Sequence, residues 1–406
     1  IESGAMKKLD EYLAEYGISG KCCALYGENS YAATADRHPQ VFQEIILKSE
    51  GLHANEISTA EVLEKMDKVI VGFDTTLVYE KLDKAVEIIL AIGSGTIHDI
   101  ARYCAYDRGI RFVSLPTAAS VDGFCSTVAA MTWYGYKKTM TAVAPEIVVA
   151  DTDIVKNAPV ELVRSGIGDI MAKYTALAEW RIANLLTGEY LCPVIYELMN
   201  KAADTAMDSV DGILKGEAEA FENVTYALVM SGIAMQMMGN SRPASGAEHH
   251  ISHMIEMEPE KFEVKFPALH GEKTGVGTVI ASKEYYRLRE IEDISSCVKD
   301  YAPVSDVKLS EFFGERLADA VINENKNDSL APVSGERLVE CWDEIREIIS
   351  KIPTADELYV ILEKLDAKRR LEDIGVSADS EAILLEYSPL VRNRLTLMRA
   401  RRMIIQ

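Results

Sequence analysis

Asp169, His249 and His270 are of the residue types that could together hold a metal ion. The chain carries seven histidines, and four of them (His249, His250, His253 and His270) fall within one short stretch. One carboxylate with two imidazoles suits a borderline divalent ion such as zinc, nickel or iron(II), and leaves positions open for substrate. His249 and His253 are four residues apart, so a helix puts them on one face. That permits a rival site in which both bind one zinc, as in HExxH proteases. Here Glu248 precedes the first His instead of lying inside the pair, which weakens that reading. His253 otherwise stands beside the metal as a substrate hydrogen-bond partner or proton relay. His250 points roughly 100° away on a helix and is expected in a supporting position or at the surface. The bland alternative, a set of structural histidines, would suit one lone His better than Asp169, His249 and His270 taken together.

A second constellation is glycine-rich. Gly93-Ser94-Gly95-Thr96 follows an apolar run and opens a helical stretch at Ile97. Two glycines let a backbone approach an anion, and the free N–H groups of a first helical turn point at it, so a pyrophosphate suits this position. Position 98 is His where the full dinucleotide fingerprint has Gly, so an ordinary tight turn competes with this reading. The next apolar run ends in Pro116-Thr117-Ala118-Ala119-Ser120-Val121-Asp122-Gly123. Small residues leave room for a ring, and Ser120, Asp122 and Ser126 offer polar handles. Two such loops at consecutive strand ends favour a shared nucleotide site.

The elements that must position these residues change character along the chain. Runs at 21–26, 68–72, 87–92 and 111–115 read as Val/Ile-rich strands, with helices expected at 39–50, 58–66, 78–85 and 97–106. That alternation predicts a parallel sheet covered on both faces. A hairpin is expected around Gly135, then a short strand at 145–150. Beyond about residue 155 long amphipathic segments replace the strands, at 160–186, 193–214, 217–239, 247–255 and 275–287. The predicted architecture is an α/β domain over 1–154 and an all-α domain over 155–406. Residues 322–333 read as a polar loop.

The whole chain sets limits. It has 43 basic and 64 acidic residues, a net charge of -21, which disfavours nucleic acid and anionic membranes as partners. The basic stretch 392–402 is therefore expected to be a solvated or carboxylate-paired helix face, not a nucleic-acid patch. No apolar run is long enough to insert in a bilayer. The opening Ile1–Met6 lacks the basic start and apolar core of a secretory leader. Seven scattered cysteines without a CxxC fit buried thiols in a reducing cytoplasm.

Together these motifs resemble the iron-containing alcohol dehydrogenase and dehydroquinate synthase superfamily, and within it the sn-glycerol-1-phosphate dehydrogenases. The segments that carry the resemblance are Gly93–Asp99, Pro116–Gly123, Gly166–Lys173, Ser245–His249 and His270–Lys273. It covers most of the chain. It implies an N-terminal Rossmann-like domain and a C-terminal helical domain, with the active site in the cleft. It implies that Gly93, Ser94, Gly95, Thr96 and Ile97 hold the pyrophosphate of NAD or NADP. Thr117, Ala118, Ala119, Ser120 and Ser126 would surround the nicotinamide half. Asp169, His249 and His270 would ligate the metal, and Asp122 and His253 would touch a small phosphorylated ketone or polyol. The iron branch carries a His four residues after the metal Asp; here Lys173 stands there, a poor ligand but a good point charge, and it is expected to face the substrate phosphate. Gly27 stands near where the family often has an Asp for the adenosine ribose, so NADP remains open beside NAD. Glycerol dehydrogenase, a carbocycle-forming synthase of the dehydroquinate synthase kind and a chemically silent scaffold are the rivals. A homodimer would be usual for the family.

Overall fold

The computed structural model describes residues 1–70, 79–81 and 86–405. The described chain forms two compact units, one of residues 1–163 and 211–239, the other of 164–210 and 240–406.

The first unit is built on four parallel strands: β1 (Cys22–Gly27), β2 (Gln43–Leu47), β5 (Ile88–Gly93) and β6 (Arg111–Pro116), in the order β2-β1-β5-β6. Alternate side chains serve opposite faces, as the pleat requires. Cys23, Leu25, Ile89, Ala91 and Phe112 pack with Val62 and Met66 of one helix and Ile100 and Cys104 of another. Ala24, Tyr26, Ile88, Leu90 and Val113 pack on the other side with Met6, Leu9 and Leu13. The chain leaves β1 for β2 on one side and later enters β5 on the other. This reversal is a topological switch point, where open α/β sheets bind ligands beyond the strand ends. Gly27 and Gly93 end the two strands that flank it.

Several local expectations are corrected here. Residues 43–47, expected as helix, are strand β2, paired in register with β1 from Cys23↔Gln43 to Gly27↔Leu47. The apolar pairs Val41/Phe42 and Ile45/Ile46 are spaced as on a helix, but a free edge of β1 gives this segment a sheet partner. The run at 68 contributes β3 (Lys68–Ile70), which pairs antiparallel with β4 (Tyr79–Lys81) outside the parallel sheet. The helix expected at 78–85 is strand at Tyr79–Lys81, and its remainder lies outside the described residues. Residues 145–150 run beside β6 only as an isolated parallel bridge, Ser114↔Val148. The hairpin of β7 (Val128–Trp133) and β8 (Tyr136–Thr141) forms around Gly135. Tyr134 and Gly135 both have positive φ, 49° and 79°, as a two-residue hairpin turn of this hand needs. Helix Ala218–Met238 belongs to this first unit.

The second unit is helical. The single helix read over 160–186 is two, Val160–Met171 and Lys173–Thr187, broken at Ala172. The segment 193–214 is likewise two, Pro193–Asp208 in this unit and Val210–Lys215, which from Asp211 belongs to the first. Helices Ala247–Met257 and His270–Arg289 carry the histidines. The polar loop begins later than expected, since helix Glu315–Asn325 runs into it. Among the described residues, no helix is long and apolar enough to cross a membrane.

Candidate active site

Asp169 lies in the last turn of helix Val160–Met171, His249 in the first turn of Ala247–Met257, and His270 opens His270–Arg289. Their potential ligand atoms all lie within 4.8 Å of one another. Glycines permit this convergence. A Cβ added at Gly168 would overlap the Gly271 carbonyl oxygen, and one at Gly271 would overlap the Ser165 carbonyl. The two helices therefore touch backbone to backbone one residue away from Asp169 and His270.

The surroundings of the three side chains fit a divalent ion. His249 places Nε2 3.3 Å from Asp169 Oδ1 and Nδ1 2.8 Å from Glu248 Oε1. His270 places Nδ1 2.7 Å from Glu256 Oε1, and Lys273 approaches the same oxygen at 3.1 Å. Each imidazole thus has a carboxylate behind one nitrogen, which fixes ring and tautomer and leaves the other nitrogen to ligate. Glu248 is itself held, accepting from Gly246 N at 2.5 Å and Thr175 Oγ1 at 2.6 Å. Burial acts to raise the Asp169 pKa, but the Lys173 charge and then His249 hold it well below the usual range. Burial acts to lower His249, yet Asp169 and Glu248 on its two nitrogens bring it up to about 9. A divalent cation here would replace the proton shared between buried anions.

His253 sits beside this group: its ring is 5.9 Å from that of His270, nearly parallel, and 6.1 Å from that of His249. It is not part of the three-residue ligand group found among the described residues, so the His249/His253 zinc pair gains no support. His250 is fully buried, and burial followed by Arg394 and Arg392 pushes its pKa well down.

Lys173 departs from expectation. Its side chain is 0% exposed, and Nζ donates to the carbonyl oxygens of Asp169 at 2.9 Å and Ala244 at 3.0 Å, with Asp169 Oδ1 3.9 Å away. An amine enclosed in this way is not presented to an anionic substrate. It instead ties the Asp169 helix to the loop that leads into the His249 helix.

In the first unit, Gly93 ends β5 and Ser94 is the N-cap of helix Gly95–Arg108. The N–H groups of its first turn, at Gly95, Thr96 and Ile97, have no intrahelical acceptor, the general condition under which a helix start can bind an anion. A Cβ on Gly95 would stand 2.8 Å from Val121 Cγ2, so glycine there lets the turn and the following loop lie together. His98, in place of the fingerprint glycine, is buried and bonds Ser94 O at 2.9 Å and Ser114 Oγ at 2.8 Å. Burial takes its pKa down to about 3, so it is a neutral pin between the turn and β6. Thr117, Ala118, Ala119, Ser120, Asp122 and Ser126 line the loop after β6 and are all largely buried. Ser231 Oγ donates to Asp122 Oδ2 at 2.8 Å, from helix Ala218–Met238. Glu256 and Arg102 were not singled out from sequence, and Glu248 was noted there only for its place before His249.

The chain has relatives among known proteins. Residues 1–159 match the family model described as iron-containing alcohol dehydrogenase. A protein of Geobacillus stearothermophilus named glycerol-1-phosphate dehydrogenase (NAD(P)+) is 36% identical over 314 residues, 77% of this chain and 71% of that protein. One of the same name from Halalkalibacterium halodurans is 30% identical and spans 97% of this chain and 89% of its own. The chain belongs to the glycerol-1-phosphate dehydrogenase family. Among solved structures, a probable glycerol dehydrogenase of Sinorhizobium meliloti shares the fold, with a TM-score of 0.61 at 18% identity, covering 98% of this chain and 95% of that one. The family resemblance read from the motifs is thus borne out, as is the class of fold.

Proposed function

We propose that this member of the family interconverts dihydroxyacetone phosphate and sn-glycerol 1-phosphate, using NAD or NADP and one divalent metal ion. The observation that carries this reading is the convergence of Asp169, His249 and His270, each imidazole backed by its own carboxylate, in a chain of this family. A divalent ion held there supplies Lewis-acid polarisation of a carbonyl. The nicotinamide supplies hydride. The protein's own part is placement. The Gly93–Ile97 turn offers backbone N–H groups to the pyrophosphate, and the loop from Thr117 to Ser126 offers small and hydroxyl side chains to the rest of the cofactor. Asp122, oriented by Ser231, is assigned a substrate hydroxyl. His253, the third ring beside the ligands, is assigned to deliver a proton to the product oxygen. All seven cysteines are free thiols, which supports a cytoplasmic enzyme; a homodimer is the proposed assembly.

The test is loss of NADH or NADPH absorbance with dihydroxyacetone phosphate, against dihydroxyacetone, with and without chelator. Preference for the phosphate, abolished by chelator, and a 1-phosphate product by chiral analysis support the reading. Preference for the free ketone assigns a glycerol dehydrogenase. No turnover of either by metal-loaded protein assigns the synthase or scaffold alternatives.

A further inference from the structure

Arg102 lies two turns into helix Gly95–Arg108, the helix whose first turn is the Gly93–Ile97 anion site. Its side chain is fully buried. Nη1 donates to Ser126 O at 2.7 Å and Val128 O at 3.3 Å, Nη2 to Phe124 O at 3.1 Å, and Nε to His98 O at 3.3 Å. Asp99 stands 3.8 Å from Nε. A buried guanidinium is costly to desolvate, and it is retained where its rigid fork satisfies several acceptors at once. Here two of those acceptors, Phe124 and Ser126, lie in the loop that carries Asp122, and a third, Val128, opens the strand that follows it.

The same loop is gripped from a second side. Gln236 donates to Cys125 O, and Gly232 lies so close that a Cβ there would stand 2.8 Å from Cys125 N. One turn before Arg102 on the same helix, His98 pins the helix start to Ser114 of β6.

We propose that Arg102 is a positioning residue for dinucleotide binding. It fixes the Phe124–Val128 segment against the very helix that receives the pyrophosphate. The two halves of the cofactor site then move as one piece, and the far nucleotide half meets a loop already in place. The energetic logic is preorganisation: a loop ordered beforehand need not be ordered by the ligand. This inference rests on the NAD(P) reading above.

The experiment compares NADH with ADP-ribose, which keeps adenosine and pyrophosphate but lacks nicotinamide. Dissociation constants are measured by titration calorimetry for the wild type, Arg102→Met and Arg102→Lys. In Arg102→Met, NADH is expected to weaken by about tenfold or more and ADP-ribose by no more than about twofold. Arg102→Lys, with one donor point in place of a fork, should fall between. Equal losses for the two ligands, or none, overturn the proposal. A wild type that binds neither of these ligands nor NADPH removes the NAD(P) reading itself. Should the Arg102 variants not fold, Gln236→Ala loosens the same loop from its other side. It should show the same selective loss of NADH, and unchanged NADH affinity there also overturns the proposal.

Discussion

Nδ1 of His249 lies 2.8 Å from Oε1 of Glu248, its own neighbour in sequence. Adjacent residues on a helix point about 100° apart, so this contact needs Glu248 to fold back, and Gly246 N and Thr175 Oγ1 hold it there. The carboxylate keeps a proton on Nδ1 and directs Nε2 towards Asp169. Glu248→Gln should therefore weaken divalent metal binding about 10- to 100-fold while leaving NADH affinity intact. Competition against a chromogenic chelator measures it, and wild-type affinity would remove Glu248 from the metal's support.

The contact between Gly168 and Gly271 leads to a second expectation. A methyl group at either position must push two helices apart, and the displacement falls on Asp169 and His270. Gly168→Ala should cost about 1–3 kcal/mol of stability, the usual scale for overpacking. It should also reduce the metal retained after dialysis. Full metal retention by Gly168→Ala would mean that the ligands do not depend on this approach.

The convergence of Asp169, His249 and His270 was legible because histidine is scarce here and its members cluster. The turn at Gly93–Ile97 was legible because glycine after an apolar run has a restricted set of uses. Strand β2 was not legible, since Ile45 and Ile46 fit either period and only the neighbour β1 decides between them. Nor could the sequence return helix Ala218–Met238 to the first unit, because Ser231 and Gly232 owe their place to residues a hundred positions earlier. Lys173 shows the same limit. Its type is right for a phosphate, but only the carbonyls of Asp169 and Ala244 reveal that the amine is already engaged.

Lys173→Met follows from that geometry. Removing the amine leaves two buried carbonyls without their donor and takes from the Asp169 carboxylate the nearby charge that lowers its pKa most. Breaking a buried pair from one side costs about 3–5 kcal/mol, so the urea midpoint should fall sharply. The ratio of Michaelis constants for dihydroxyacetone phosphate and dihydroxyacetone should stay near that of the wild type. A selective rise for the phosphorylated ketone would restore Lys173 to the substrate.

Acid stability has a separate source in the helical unit. Asp328 accepts from Arg399 Nε at 2.7 Å, Arg402 Nη1 at 2.7 Å and Leu330 N at 2.9 Å, the carboxylate pairing expected of the basic stretch 392–402. Burial works to raise its pKa, but the Arg399 charge, then Arg402 and the Leu330 N–H, bring it from 3.8 down to about 2. The folded value lies below the unfolded one, so the unfolded chain takes up the proton first as pH falls. The contribution is complete above about pH 4 and disappears as pH drops through about 2; it amounts to about 2 kcal/mol. Asp328→Asn cannot titrate there and should start less stable, because the buried guanidinium of Arg399 and the partly buried one of Arg402 lose their anion. Its stability should then decline less steeply than the wild type's between pH 5 and pH 2, read from urea midpoints at about one-unit steps. Parallel slopes for the two proteins would place the acid sensitivity in other carboxylates.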